Sequence, residues 1–257
     1  MSRMEGDNLK PEMNAEEYFE IREEVSAFLE EKNRKKISAF DKLSSNHKRV
    51  VLDNANLVYA RSKLIEPAIS RDLLSIIDSS VSEFKSFEHR LKTLESLKRK
   101  IIADSKEYEG SYLRAANNIC DGVRYTIVID DDMYVLKVDE YLHKLEDMGY
   151  FVVDFKNNWG KPFYQGFNVR ICCPNREDIF ELQFHTMYGY HIKEGSTRDL
   201  YQVVRDEDMS KRAIELKKKA NRLREFFQKT VRIPNMALEY DFSSRIRLGE
   251  VDDDKRK

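Results

Sequence analysis

The sequence predicts an α/β (α+β) domain: a mixed β-sheet with helices on its flanks and helical extensions at both ends. Three observations carry this. Along the chain, helical patterns come first, then strand and helix patterns in alternation, then a hairpin, then helices again. The stretch Tyr164 to Thr186, YQGFNVRICCPNREDIFELQFHT, has the form of a β-hairpin. Four apolar strand patterns, Gly122–Ile129, Tyr150–Lys156, Phe167–Cys173 and Ile179–Phe184, are separated by helix and turn signals.

Composition narrows the classes. A chain of 257 residues can bury a core in one elaborated domain, or in one domain plus helical extensions. Its net charge is -1, so no global basic field draws it onto nucleic acid, and any polyanion site is a local patch. Cys120, Cys172 and Cys173 give neither a disulfide framework nor a zinc spacing, which points to a reducing compartment. No apolar run reaches the ~18 residues of a membrane span, and no signal-peptide core is present. The expectation is a cytoplasmic protein, either of the producing cell or of a target cell reached without a signal peptide.

Residues 1–12 are polar and expected to be disordered. Asn14 with Glu17 resembles a capping box opening a helix that runs through Lys32. Its stripe of Tyr18, Ile21, Val25, Phe28 and Leu29 must pack on something. A second helix is expected from Ser45 or Asn46 to Ile65, and a third from Pro67 towards Phe84, since Pro suits a first helical position. Thr93 can cap a helix carrying Ser96 and Lys100 on one face. Asp130, Asp131 and Asp132 cap a helix over Met133–Met148, an acidic run explained by the helix dipole. A long charged helix follows from about Asp206 to Thr230, and the tail from Ser243 is polar and loose. The expected divisions are a helical extension over 1–80, the sheet domain over 81–205, and a C-terminal helix and tail over 206–257.

Two clusters carry chemistry. In the second hairpin strand, Phe180, Leu182 and Phe184 alternate with Glu181 and Gln183, so the carboxylate and the amide share one face. That pairing suits holding a metal ion or taking a proton; the plain alternative is a solvated face. In HRLKTLESLKRK, Arg90, Lys92, Ser96 and Lys100 converge at a strand-to-helix junction, where free amides and the dipole favour anions. Both lysines are expected to be exposed there. With Asp121 at one strand entry and Glu181 on another, two carboxylates are available for Mg2+. The basic residues, with Lys156, offer a triphosphate grip, and Tyr164 offers an aromatic face for a base.

Taken in order, these motifs resemble the synthetase domain of the RelA/SpoT alarmone family. Arg90 to Lys100 matches its R-x-K-x-x-x-S-x-x-x-K run. Asp121 to Val128, DGVRYTIV, is similar to its aspartate ahead of an arginine-bearing strand. YQGFN and FELQFHT are similar to its Y-Q-S-x-H and E-[IV]-Q-[IVF]-x-T. The resemblance spans roughly residues 80–205. It implies a nucleotidyltransferase-like mixed sheet and an ATP-dependent pyrophosphokinase, which moves the β,γ-pyrophosphate of ATP to a ribose 3′-hydroxyl. The acceptor would be GDP or GTP, ADP or ATP, or a tRNA 3′ end. Carried over, Arg90 lies over the adenine, and Lys92, Ser96 and Lys100 bind phosphates. Asp121 and Glu181 hold Mg2+, with Glu181 also placed to take the hydroxyl proton. Arg124 supports the site, Gln183 braces it, and Lys156, Tyr164, Asn168 and His185 face the acceptor.

The departures fall on the acceptor side. Phe163 stands where the family has Gly, Asn168 where it has His, and His185 where many members have Arg. FELQFHT is closest in form to the toxin- or effector-associated branch. A nucleotide-binding scaffold without activity, and a nucleotidyltransferase that leaves AMP on its acceptor, are the alternatives. Long helices at both ends also suit a protein partner or self-association.

Overall fold

The computed structural model describes residues 15–35, 38–161, 164–175, 177–196, 198–206, 208–230 and 232–242. Asn14, the leading residues 1–12 and the tail from Ser243, each given an expectation above, lie outside them. In chain order the elements are α1 (Ala15–Lys35), α2 (Ser45–Ile76), β1 (Ser82–Lys85), α3 (Leu94–Asp104), α4 (Tyr112–Asn117), β2 (Arg124–Ile129) and α5 (Tyr134–Asp147), then β3 (Phe151–Asn157), β4 (Phe167–Cys172), β5 (Ile179–His185), α6 (Met187–His191), α7 (Arg198–Arg205) and α8 (Lys211–Thr230). The chain divides into two compact units: residues 37–190 with 233–257, and residues 1–36 with 191–232.

The larger unit holds one five-stranded sheet in the order β1-β2-β5-β4-β3. β2 and β5 run parallel, and the other neighbours are antiparallel. Register follows the side-chain alternation. Tyr125, Ile127, Phe180, Leu182, Phe184, Phe167, Val169 and Ile171 are all buried and occupy one face. α2 and α5 pack there: the Tyr125 hydroxyl meets Ser70 of α2 at 2.8 Å, and the Tyr134 hydroxyl of α5 donates to the Phe184 carbonyl at 2.7 Å. The opposite face carries Arg124 and Thr126 of β2, Glu181 and Gln183 of β5, Arg170 and Asn168 of β4, and Asp154 and Lys156 of β3. The hairpin turn is tied to α2 by an ion pair between Arg61 and Asp178.

Three expectations are corrected. Pro67 does not open a helix; it lies inside α2, which continues to Ile76. The missing amide costs one intrahelical bond, and the buried face of Val51, Ala55, Ile69 and Leu73 carries the helix through. Ser82–Lys85, placed above in a helix, is the edge strand β1, pairing with Thr126–Ile129. The expected boundary near residue 80 also does not separate compact units. Val51 and Ala55 of α2 share a core with Leu97 and Ile101 of α3 and with Ala115 and Ala116 of α4, so α2 belongs with the sheet. In the smaller unit the α1 stripe (Ile21, Val25, Phe28) finds its partners in Leu200 and Val203 of α7 and in Ala213, Leu216, Ala220 and Leu223 of α8. The charged helix expected from about Asp206 begins at Lys211.

Candidate active site

The site forms where Asp121 enters β2. Residues 90–92 run antiparallel to 122–124: the Arg124 amide donates to the Arg90 carbonyl at 2.8 Å, and the Lys92 amide to the Gly122 carbonyl at 3.0 Å. This clip sets the start of α3, whose first turn is capped by Thr93 accepting from the Ser96 amide at 3.3 Å. Lys92 and Lys100 therefore both reach Asp121. The Lys92 ammonium is 2.8 Å from Asp121 Oδ2, and the Lys100 ammonium is 4.0 Å from Oδ1 and 3.1 Å from Asp104.

Arg124 clasps both candidate catalytic carboxylates. Its Nη2 donates to Asp121 Oδ2 at 2.7 Å, and its Nε lies 2.5 Å from Glu181 Oε1. The parallel register puts Arg124 directly opposite Glu181. Gln183 donates from Nε2 to the same Glu181 oxygen at 2.7 Å and accepts from the Thr126 hydroxyl at 3.5 Å. Glu181 and Gln183 share one face as the alternation predicts, but that face is not solvated: they are 8% and 4% exposed. Burial pushes the Asp121 carboxyl up, yet Lys92, Arg124 and Lys100 outweigh it and hold it below the usual carboxylate range. Burial pulls the Lys100 ammonium down, and Asp121 and Asp104 more than restore it. The lysines are not the exposed pair expected, since the Lys92 side chain keeps only 17% of its exposure.

Arg90 does not join this cluster. Its guanidinium pairs with Glu66 of α2, donates to the Phe87 carbonyl at 3.0 Å, and lies over the Phe87 ring at 4.5 Å. Glu66 is buried and also takes the Ser70 hydroxyl. Burial raises its carboxyl, and the bonds from Arg90 and Ser70 bring it below its ordinary value. Ser96 sits at the capped first turn of α3, beside Arg99 Nη2 at 3.1 Å.

On the acceptor side Lys156 and Asn168 face each other across β3 and β4, and Asn168 faces Gln183 across β4 and β5. The Lys156 ammonium lies 3.3 Å from Asp154. The Tyr164 ring packs on His185 with centroids 4.8 Å apart. Gly166, at φ +148°, makes this turn possible, because a Cβ there would meet the Phe184 carbonyl oxygen at 2.3 Å. His185 is buried outright, and its Nδ1 is 2.6 Å from the Gln165 carbonyl. A side chain with no exposure presents no surface to an acceptor; it props Tyr164 instead.

Sequence reasoning missed Glu66 and Arg170. Arg170 stands opposite Glu181 in the hairpin register, which counting back across the Pro174–Asp178 turn would have shown. Glu66, in the middle of α2, carries no sequence signal.

Among the described residues no three His, Cys, Asp or Glu side chains group to hold a metal ion. A Mg2+ ion fits what is there. Asp121 and Glu181 meet at one guanidinium, and Asp121 Oδ1 is buried without a hydrogen-bond partner. Mg2+ is commonly held by one or two carboxylates, with substrate phosphates and waters completing the shell.

No family model matches the chain, and no curated protein does. Solved structures do. A GTP pyrophosphokinase family protein from Streptococcus pneumoniae is 11% identical, with 73% of this chain and 92% of that one covered, at a TM-score of 0.38. Small alarmone synthetase 2 from Bacillus subtilis is 16% identical, covering 68% and 94%, at 0.40. Small alarmone synthetase 1 from Bacillus subtilis, bound to its product pppGpp, is 11% identical, covering 72% and 95%, at 0.35. Likeness at these values carries no argument about activity, which rests below on the residues of this chain. No described helix is long and apolar enough to cross a membrane.

Proposed function

We propose that this chain is a magnesium-dependent pyrophosphokinase, moving the β,γ-pyrophosphate of ATP to the 3′-hydroxyl of a nucleotide or of a tRNA 3′ end. The observation that carries the proposal is the clasp of Asp121 and Glu181 by Arg124, with Lys92 and Lys100 on Asp121. Two buried carboxylates held beside three cations are a costly arrangement for stability alone. It is an apt one for phosphate chemistry, where positioning and charge neutralisation do most of the catalysis.

In this reading Lys92, Lys100 and the capped first turn of α3 at Ser96 hold the phosphates of ATP, while Arg90, fixed on Phe87, offers its guanidinium plane to the base. Bound at Asp121 and Glu181, Mg2+ would neutralise phosphate charge. Glu181, oriented by Gln183 and Arg124, accepts the proton of the 3′-hydroxyl. The acceptor oxygen bonds to the β-phosphorus as the bond between that phosphorus and the α–β bridging oxygen breaks, and AMP leaves with the electron pair. Tyr164, propped by His185, supplies a ring for the acceptor's base, with Lys156 and Asn168 beside it.

The test is incubation with γ-labelled ATP and Mg2+ against GDP, GTP, ADP, ATP and tRNA. Label on an acceptor together with free AMP is the expected result. Label only in free pyrophosphate, with AMP on the acceptor, would make the chain a nucleotidyltransferase. ATP binding without turnover across the panel would make it a scaffold.

A further inference from the structure

We propose that Arg170 is a further catalytic residue, gripping the pyrophosphoryl group as it passes between ATP and the acceptor. This rests on the pyrophosphokinase reading above. The register is the first ground. Glu181 stands opposite Arg124 on β2 and opposite Arg170 on β4, so a straight line across three strands reads arginine, glutamate, arginine on one face. Nothing in the donor motifs requires the second arginine.

The second ground is how differently the two guanidinium groups are held. Arg124 is committed to Asp121 and Glu181 at 2.7 and 2.5 Å. The two side chains are about equally exposed, at 40% and 42%, but Arg170 has its Nε 3.7 Å from Asp154 Oδ2, beyond the usual N–H···O range. Asp154 also serves Lys156 at 3.3 Å. Arg170 can therefore turn to a ligand without leaving a buried charge behind.

The third ground is charge. On the donor side Lys92, Lys100 and Arg124 are matched by Asp121, Asp104 and Glu181. That cluster is balanced while empty, so once Lys92 and Lys100 hold the triphosphate its charge calls for further cations nearby. Lys156 and Arg170 against Asp154 leave a surplus on the other side of Glu181. A planar fork with several N–H donors matches the equatorial oxygens of a phosphoryl group in flight better than an ammonium does. In the step itself the acceptor oxygen bonds to the β-phosphorus, the bond to the bridging oxygen of the α-phosphate breaks, and the hydroxyl proton goes to Glu181. Arg170 keeps its protons throughout and contributes charge and hydrogen bonds only.

The test compares the parent with Arg170→Ala and Arg170→Lys by steady-state transfer, by titration with inorganic pyrophosphate and Mg2+, and by thermal melting. Arg170→Ala is expected to lower kcat by roughly 10²–10³ with KM for ATP changed little, the pattern of a group that acts on the transferring phosphate. It should also weaken pyrophosphate binding about tenfold, with Arg170→Lys in between and all three melting together. Equal pyrophosphate binding by parent and Arg170→Ala overturns the assignment, as does a parent that binds no pyrophosphate. If the parent transfers no label to any acceptor, the pyrophosphokinase reading fails, and the assignment to a transferring group falls with it. If the parent transfers label and Arg170→Ala does so at the parent rate, the reading stands and the Arg170 assignment alone fails.

Discussion

The two sides of the polar sheet face are built on different terms. Around Asp121, the side chains of Lys92, Asp121 and Glu181 are mostly buried while Arg124 keeps 40% of its exposure, and their contacts run from 2.5 to 2.8 Å. Around Asp154, the contacts to Lys156 and Arg170 are longer, from 3.3 to 3.7 Å. Close charge pairs taken out of water fix geometry at a desolvation cost, whereas loose exposed ones cost and contribute little. The cluster around Asp121 is thus held by short contacts without any ligand, and the pairs around Asp154 are held more loosely.

The largest break in this comparison is Glu181→Gln. Losing the base and one magnesium ligand should cut pyrophosphate transfer by about 10²–10⁴, while ATP still binds and the chain still folds. Transfer at near the parent rate would sink the assignment of Glu181 as base and magnesium ligand. Next comes Lys92→Ala. It leaves the buried Asp121 short of one partner, so chemical denaturation should show a loss of about 1–3 kcal/mol, together with weaker ATP binding. A stability change within the surface range, below about 0.5 kcal/mol, would mean the donor cluster is not the rigid half.

Glu66→Gln keeps a hydrogen-bond acceptor for Arg90 but removes the charge. It should weaken ATP affinity by about 1–2 kcal/mol and leave kcat near the parent value; an unchanged KM would separate Arg90 from the base. The pH dependence is a gentler probe. Asp121 is depressed in the folded state, so the unfolded chain binds its proton first as acid is added. Its stabilisation is complete above pH ~4, the ordinary carboxylate value, and is lost as pH falls through the folded one. The parent should lose stability in that acid window more steeply than Asp121→Asn, as urea midpoints taken at successive pH values would record. The smallest effect belongs to Lys156→Ala. Its ammonium is half exposed on a shared carboxylate, so melting should move by less than about 0.5 kcal/mol, even if acceptor affinity falls.

What the sequence disclosed is what short-range rules control. The hairpin, the Thr93 cap and the shared face of Glu181 and Gln183 depend on residues within a turn or a strand of one another. The sheet order does not. β5 lies in the middle because β2 pairs with it across most of the domain, and no local pattern announces that partner. β1 was missed because Ser82–Lys85 offers one large apolar residue, Phe84, and Pro67 misled because tertiary packing overrode a local preference. Glu66 and the turning of Arg90 towards it are likewise products of tertiary structure, legible only once α2 lies against the sheet.

The parallel pairing of β2 with β5 also governs when the site comes into being. Thr126 and Gln183 are 57 residues apart, and α5, β3 and β4 lie between their strands. Synthesis delivers Asp121 and Arg124 well before Glu181, and the central strand is the last of the sheet to emerge. A nascent or prematurely ended chain that lacks β5 has one of the two carboxylates and a sheet without its middle. On the proposed reading, the site is therefore completed as a single late event in the chain's production.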